Sequence, residues 1–406
     1  MNEQKQNENN AELIEALKLD DSEQDFKKSK SSSELKGKMK KLIKYIVIIF
    51  ILLIVVIWLL SLTSTKKQDY KTIENTMKKA AEKYYNNHKS ELPSKDKETS
   101  EISVQKLING NYMKELSSYK TGAGSCSGKV VVENNDDTYL YIAYLDCGEK
   151  YTTTELFREV TKEENVVTEN SGVYYMNGEY VYRGENVNNY VKIDENLWRI
   201  VKVDKNNEVV LILDEPYLNV RTWDNRYNNT RKMPYGYNDY KKSRLKEVND
   251  GIYEASKKGD TSEYKNPLFS KNAIKYLTGY NQCYGNRTAT DNVNNNSVEC
   301  SAVIENTKIG ALTLSDFINA SLDTDCTNAS SKSCQNYNYL IQNKKTFWLA
   351  TGNKANTFEV FRVSQYGKLE STQASSYSAV RPVVHLNSKT MFNNGSGEKV
   401  DPYTIK

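Results

Sequence analysis

The chain has 406 residues, 38% of them hydrophobic, and a net charge of +4 from 56 basic and 52 acidic side chains. That near-balance argues against a nucleic-acid partner, which calls for a strongly basic surface. The length admits two ordinary domains beyond an N-terminal segment. Thirty tyrosines against nine phenylalanines point either to wet aromatic surfaces and strands or to AT-rich coding.

Residues 1–41 read as a disordered cytoplasmic tail. The first part is acidic and polar, the second is rich in Ser and Lys, and Phe26 is the one aromatic. Ala11–Leu19 has the spacing of a short amphipathic helix, too short to be stable alone. Residues 42–65 read as a transmembrane anchor. Tyr45–Thr65 carries no charge, and as a helix it would span about 31 Å, close to the hydrocarbon thickness of a bilayer. More lysines precede the stretch than follow it, which predicts a cytoplasmic N-terminus and an extracellular C-terminus. A cleaved signal peptide fits poorly, because its basic region would exceed forty residues and no Ala-x-Ala site follows Leu60. All six cysteines lie after the stretch, as expected in an oxidising exterior. The lysine run before it suits anionic head groups, so the lipid bilayer is an expected partner.

Residues 66–160 read as a stem helix and a small α+β unit. Asp69–Lys89 has apolar residues at helical spacing: Ile73, Met77, Ala80, Ala81, Tyr84 and Tyr85. Leu92-Pro93 stops it. Val104–Tyr112 reads as a short helix. Lys129–Val132 and Tyr139–Leu145 read as strands around the turn Glu133–Asp137. Antiparallel pairing would bring Cys126 and Cys147 together at the hairpin base. After the polar connector Thr161–Asn170, residues 171–406 form the largest predicted domain. Leu197–Val203 and Glu208–Leu213 read as a hairpin apolar on both faces, hence central. Tyr240–Val248, Asn272–Thr278 and Leu314–Ala320 read as helices. Thr346–Thr351, Thr357–Val363 and Val380–Leu386 read as strands. Cys283 with Cys300 and Cys326 with Cys334 are the short-range pairs, although six cysteines allow fifteen pairings.

Two patterns are familiar. KKAAEKYYNNHKSELP, VQKLINGNYMKE, CSGKVVV and YLYIAYLDCGEKYTT, within residues 71–152, resemble prepilin-like surface proteins of low-GC Gram-positive bacteria. The chain lacks the Gly-Phe cleavage site and the Glu at the fifth position that a type IV prepilin carries. NNYVKIDENLWRIVKV, LTLSDFINAS, FWLAT, VRPVVHL and GSGEKVDPYTI resemble C-type-lectin-like domains of the formylglycine-generating-enzyme type. The fold class expected is α+β: one N-terminal transmembrane helix extended into a stem helix, a pilin-like α+β unit, and a larger C-type-lectin-like α+β domain. Such folds serve enzymes, adhesins and ligand-binding modules alike.

Candidate chemistry is sparse. His88 and His385 are the only histidines. Gly124-Ser-Cys126-Ser-Gly128 matches a nucleophile elbow superficially, but it lacks the strand before and the helix after. Asp323 and Asp325 beside Cys326 and Asn328, and the run from Asp291 to Glu299, are acidic clusters that could bind calcium, but the EF-hand pattern fails at Val293 and solvated loops are the expected reading of both. The loop with Arg221, Trp223, Asp224 and Arg226 offers an aromatic beside charged and amide groups, the usual chemistry of a glycan site. No catalytic residue, cofactor or metal is expected. The expected function is a membrane-anchored surface binding or adhesion protein with a glycan or surface protein as ligand. The alternatives are a pilin-like component of an envelope assembly and an extracytoplasmic cysteine-dependent enzyme.

Overall fold

The computed structural model describes residues 43–45, 47–51, 54, 70–119, 125–135, 138–260, 267–293 and 297–406. The chain divides at residue 72 into two units. In the first, the described residues between 43 and 54 are helical and exposed. The expected tail lies outside the described residues, as does most of Tyr45–Thr65. The expected fold class is corrected here: among the described residues no helix is long and apolar enough to cross a membrane. A span needs about 20 consecutive helical residues, and hydropathy alone measures only how apolar a stretch is. The single-pass anchorage drawn from that stretch is therefore unsupported.

The second unit is an α+β fold dominated by sheets. It opens with the helix α1 over residues 73–87 and continues through β1 (Thr99–Ser103), α2 (Val104–Asn109), β2 (Ser127–Asn135), β3 (Thr138–Asp146) and α3 (Leu156–Val160). The strands that follow are β4 (Gly172–Met176), β5 (Glu179–Arg183), β6 (Tyr190–Ile193), β7 (Asn196–Val203), β8 (Val209–Leu213) and β9 (Leu218–Thr222). After helix α4 (Arg244–Lys258) come β10 (Leu277–Thr278), β11 (Tyr280–Cys283), β12 (Val303–Thr307) and helix α5 (Leu314–Asn319). The chain ends on β13 (Phe347–Gly352), β14 (Glu359–Val363), β15 (Leu369–Gln373), β16 (Tyr377–Val380), β17 (Val383–Leu386), β18 (Phe392–Asn394) and β19 (Tyr403–Ile405).

The six apolar positions of α1 foreseen from spacing are all buried. Gly128 in β2 lets the helix come close: a Cβ there would lie 2.9 Å from Cε of Met77 and 2.6 Å from the Tyr144 carbonyl oxygen. β1, β2 and β3 form an antiparallel sheet whose hairpin pairs Ser127 with Asp146 and Asn135 with Thr138. The Cys126–Cys147 disulfide closes its base. Cys283–Cys300 and Cys326–Cys334 are also bonded. Closing loops of these lengths stabilises by about 3 kcal/mol each in the chain-entropy account.

The largest sheet runs β10-β17-β8-β7-β6-β19-β18, with β5 on β7 and β4 on β5. β7 and β8 are central and buried on both faces over most of their length. A second sheet runs β15-β14-β13-β16-β9, and β11 pairs with β12 separately. Val380–Leu386, expected as one strand, is two. β16 belongs to the second sheet and β17 to the first. Pro382 stands between them and has no N–H for a ladder; its carbonyl instead accepts from Leu213 N at 3.0 Å. Asn272–Thr278 is a short 3-10 turn (Ala273–Tyr276) leading into β10.

Polar contacts join the small sheet to the larger part. Asn135 Nδ2 donates to the carbonyls of Lys275 and Leu277, each at 2.9 Å. Buried Glu133 accepts from Asn387 and from Lys389 Nζ, the latter at 2.5 Å. Glu74 on α1 accepts from Lys406 Nζ at 2.7 Å, from Tyr151 Oη at 2.7 Å and from Thr153 Oγ1 at 2.5 Å. Burial and the Glu74 carboxylate push the Tyr151 phenol up.

Candidate functional site

A cleft of about 570 Å³ opens beside the β7–β8 hairpin. Its floor starts at the turn that joins these strands. Asp204 Oδ1 accepts from the backbone N–H of Asn206 and of Glu208, each at 2.9 Å. Asn207 adopts φ +61°, which an Asn tolerates better than most residues. The turn therefore holds the Asp204 and Glu208 carboxylates on one side.

β17 lies next to β8, with His385 opposite Val210. This register carries the imidazole to the hairpin end. His385 Nδ1 is 3.0 Å from Glu208 Oε2 and 3.6 Å from Asp204 Oδ2. The ring stacks on Tyr280 at 3.7 Å with 6° between planes. Tyr280 Oη donates to Gln282 Oε1 at 3.0 Å, and the same oxygen accepts from Ala311 N at 3.1 Å. Burial raises the Tyr280 phenol well above its ordinary value. Burial also raises the Asp204 carboxyl; His385 opposes this and Glu208 adds to it.

Lys97, from the loop before β1, donates Nζ to the Gly279 carbonyl at 2.9 Å and lies 3.9 Å from Glu208 Oε1. The small sheet region thus contributes to the cleft of the larger part. Another wall is built by Lys202, whose Nζ is 3.2 Å from both Glu179 and Asp316. Burial works against this ammonium, but Asp316 and Glu179 outweigh it and hold its pKa above the ordinary value. Asp316 is itself placed at the start of α5, where Thr313 caps the helix and donates Oγ1 to Asp316 Oδ2 at 2.6 Å. Asn177, Asn206, Asn281 and Asn319 add amides to the lining. The cleft therefore presents paired charges and amides around one aromatic stack, a surface suited to hydrogen-bonding ligands.

The loop foreseen as a ligand site lies elsewhere. Trp223 is fully buried, and its Nε1 donates to the Leu349 carbonyl at 2.8 Å. Asp224 is also fully buried, accepting from Tyr237 N at 2.8 Å and from Arg226 Nε at 2.9 Å. Arg221 is exposed, and its Nη1 donates to the Val220 carbonyl. The structure pairs Asp224 with Arg226, turns the Trp223 indole into the core and leaves the Arg221 side chain on the surface. All six cysteines are in disulfides. Asp323 accepts from Asp325 N and from Asn336 Nδ2, and Asp291 accepts from Thr288 N, so both acidic loops bond internally.

Sequence reasoning passed over Asp204 and Glu208, treating them as the ends of a hairpin turn. The available signal was their spacing of four across that turn, which places both carboxylates at one hairpin end. No family model, no curated protein and no solved structure matches this chain. The pilin-like and lectin-like resemblances therefore rest on the residues quoted for them.

Proposed function

We propose that this protein is an extracytoplasmic binding protein that holds a hydroxyl- and amide-rich ligand in the cleft beside the β7–β8 hairpin. A glycan of the cell surface is the leading ligand class, and a surface protein segment the next. The observation that carries this reading is the lining. Carboxylates, amides and a buried lysine surround the cleft, the donor and acceptor set that orients sugar hydroxyls. The three disulfides support an oxidising setting outside the cytoplasm. Full-length protein applied to arrays of glycans and peptidoglycan fragments is expected to retain one class. Asn177→Ala and Asn281→Ala at the rim are expected to weaken that binding about tenfold together, each lost hydrogen bond costing roughly 0.5–1.5 kcal/mol. Retention of nothing, or binding indifferent to both substitutions, would overturn the reading.

A further inference from the structure

We propose that Asp204, Glu208 and His385 form a binding site for a divalent transition-metal ion of the zinc type at the floor of the cleft. The inference rests on its own geometry and does not depend on the ligand class proposed above.

Three side chains converge there, two from the β7–β8 turn and one from β17, with their ligand atoms all within 4.8 Å of one another. Around a tetrahedral ion with bonds of about 2.0–2.1 Å, neighbouring ligand atoms sit about 3.3–3.4 Å apart. The Nδ1–Oε2 and Nδ1–Oδ2 separations of 3.0 and 3.6 Å bracket that spacing. Small shifts of side chains already facing each other would set all three at ligand spacing.

Charge argues the same way. The His385 Nδ1 carries at most one proton, yet two carboxylates face it. His385 is 8% exposed and Glu208 9%, so water does little to separate their charges. Lys97 is the nearest ammonium, 3.9 Å from the other Glu208 oxygen and directed to the Gly279 carbonyl. Lys205 also lines the cleft, and Lys202 is engaged by Glu179 and Asp316. A dication between the three groups would balance both carboxylates at once.

The donor set selects the ion. One imidazole with two carboxylates suits zinc or manganese, whereas calcium calls for six to eight oxygens. The stack on Tyr280 fixes the plane of the His385 ring, and backbone N–H groups orient Asp204. Such outer contacts are what hold a ligand set in place. Three protein ligands beside an open cleft leave a coordination position facing whatever the cleft receives.

The test uses full-length protein stripped with a chelator, exchanged into chelator-free buffer and titrated with zinc chloride by calorimetry, with manganese and calcium chloride in parallel. One zinc per chain is expected, with calcium at least a hundredfold weaker. His385→Ala is expected to abolish binding and Glu208→Gln to weaken it at least tenfold. Lys97→Met is expected to tighten it about threefold by removing a nearby like charge. This last variant leaves the three ligands intact, so it remains informative if His385→Ala fails to fold. Absence of stoichiometric zinc, or zinc affinity unchanged by Glu208→Gln, identifies the cluster as a plain ion pair and overturns the proposal.

Discussion

Two buried acidic clusters in this protein are built in opposite ways. At Glu74, one carboxylate meets Lys406, Tyr151 and Thr153. At the cleft floor, two carboxylates share one imidazole nitrogen. The side chains involved are comparably hidden: 2% and 9% exposed for Glu74 and Lys406, against 11–13% for His385, Asp204 and Glu208. Both clusters are mostly hidden, Glu74 the more deeply, and stoichiometry is what separates them. A carboxylate surrounded by donors ties two parts of a fold together. Two carboxylates that face one imidazole, by contrast, carry the proposed metal site.

Three measurements test that contrast. The largest effect is expected at Glu74. Removing one member of a buried ion pair leaves its partner charged and unmatched, at a cost of about 3–5 kcal/mol. Glu74→Ala should lower stability by that amount in guanidinium unfolding, and a loss under about 1 kcal/mol would show that the lock contributes little.

Glu208→Gln should behave differently. It removes one of two facing anions, so the metal-free protein should change by less than about 1 kcal/mol and toward greater stability. A loss as large as that at Glu74 would erase the distinction between the clusters.

The smallest effect concerns whether the two parts separate. Burial raises Tyr141 in the small sheet and Tyr403 in β19 to about 12 each. Unfolded tyrosine ionises near pH 10. Between these values the folded state holds more protons than the unfolded state, so stability falls as pH rises from about 10 to about 12 and is insensitive to these groups below that. Absorbance at 295 nm should show one cooperative transition, shifted as a unit by Tyr141→Phe or Tyr403→Phe. Two separate transitions would show that the small sheet region opens by itself.

Much of the local architecture was legible in the sequence. Helical spacing identified every buried apolar position of α1 from Ile73 to Tyr85. Alternation and turn residues located the β2–β3 hairpin, and proximity along the chain pointed to the three disulfides. Short or polar strands were missed. β9 reads Leu218-Asn-Val-Arg-Thr222 and is largely exposed, so it has no apolar alternation to detect. The Val380–Leu386 run was apolar throughout, and Pro382 at its centre was the overlooked signal for two strands. The cleft was illegible for a different reason. Lys97, Tyr280 and His385 are distant in sequence from the Asp204–Glu208 turn, and only tertiary packing, including the β8–β17 register, brings them to it. Trp223 was conspicuous in a polar loop, but the loop folds inward and the indole fills a core beside Tyr240 and Trp348.

The Glu74–Lys406 lock also bears on how the chain is made. The two residues are 332 positions apart. At about 5–20 residues per second of synthesis, Glu74 waits roughly 17–66 s for its partner. During that interval the nascent helix carries a carboxylate that cannot be buried without penalty. Tyr151 and Thr153, 77 and 79 positions after Glu74, can reach the carboxylate earlier and offset part of that penalty. The Glu74–Lys406 contact therefore closes only after the strands of both larger sheets have been synthesised.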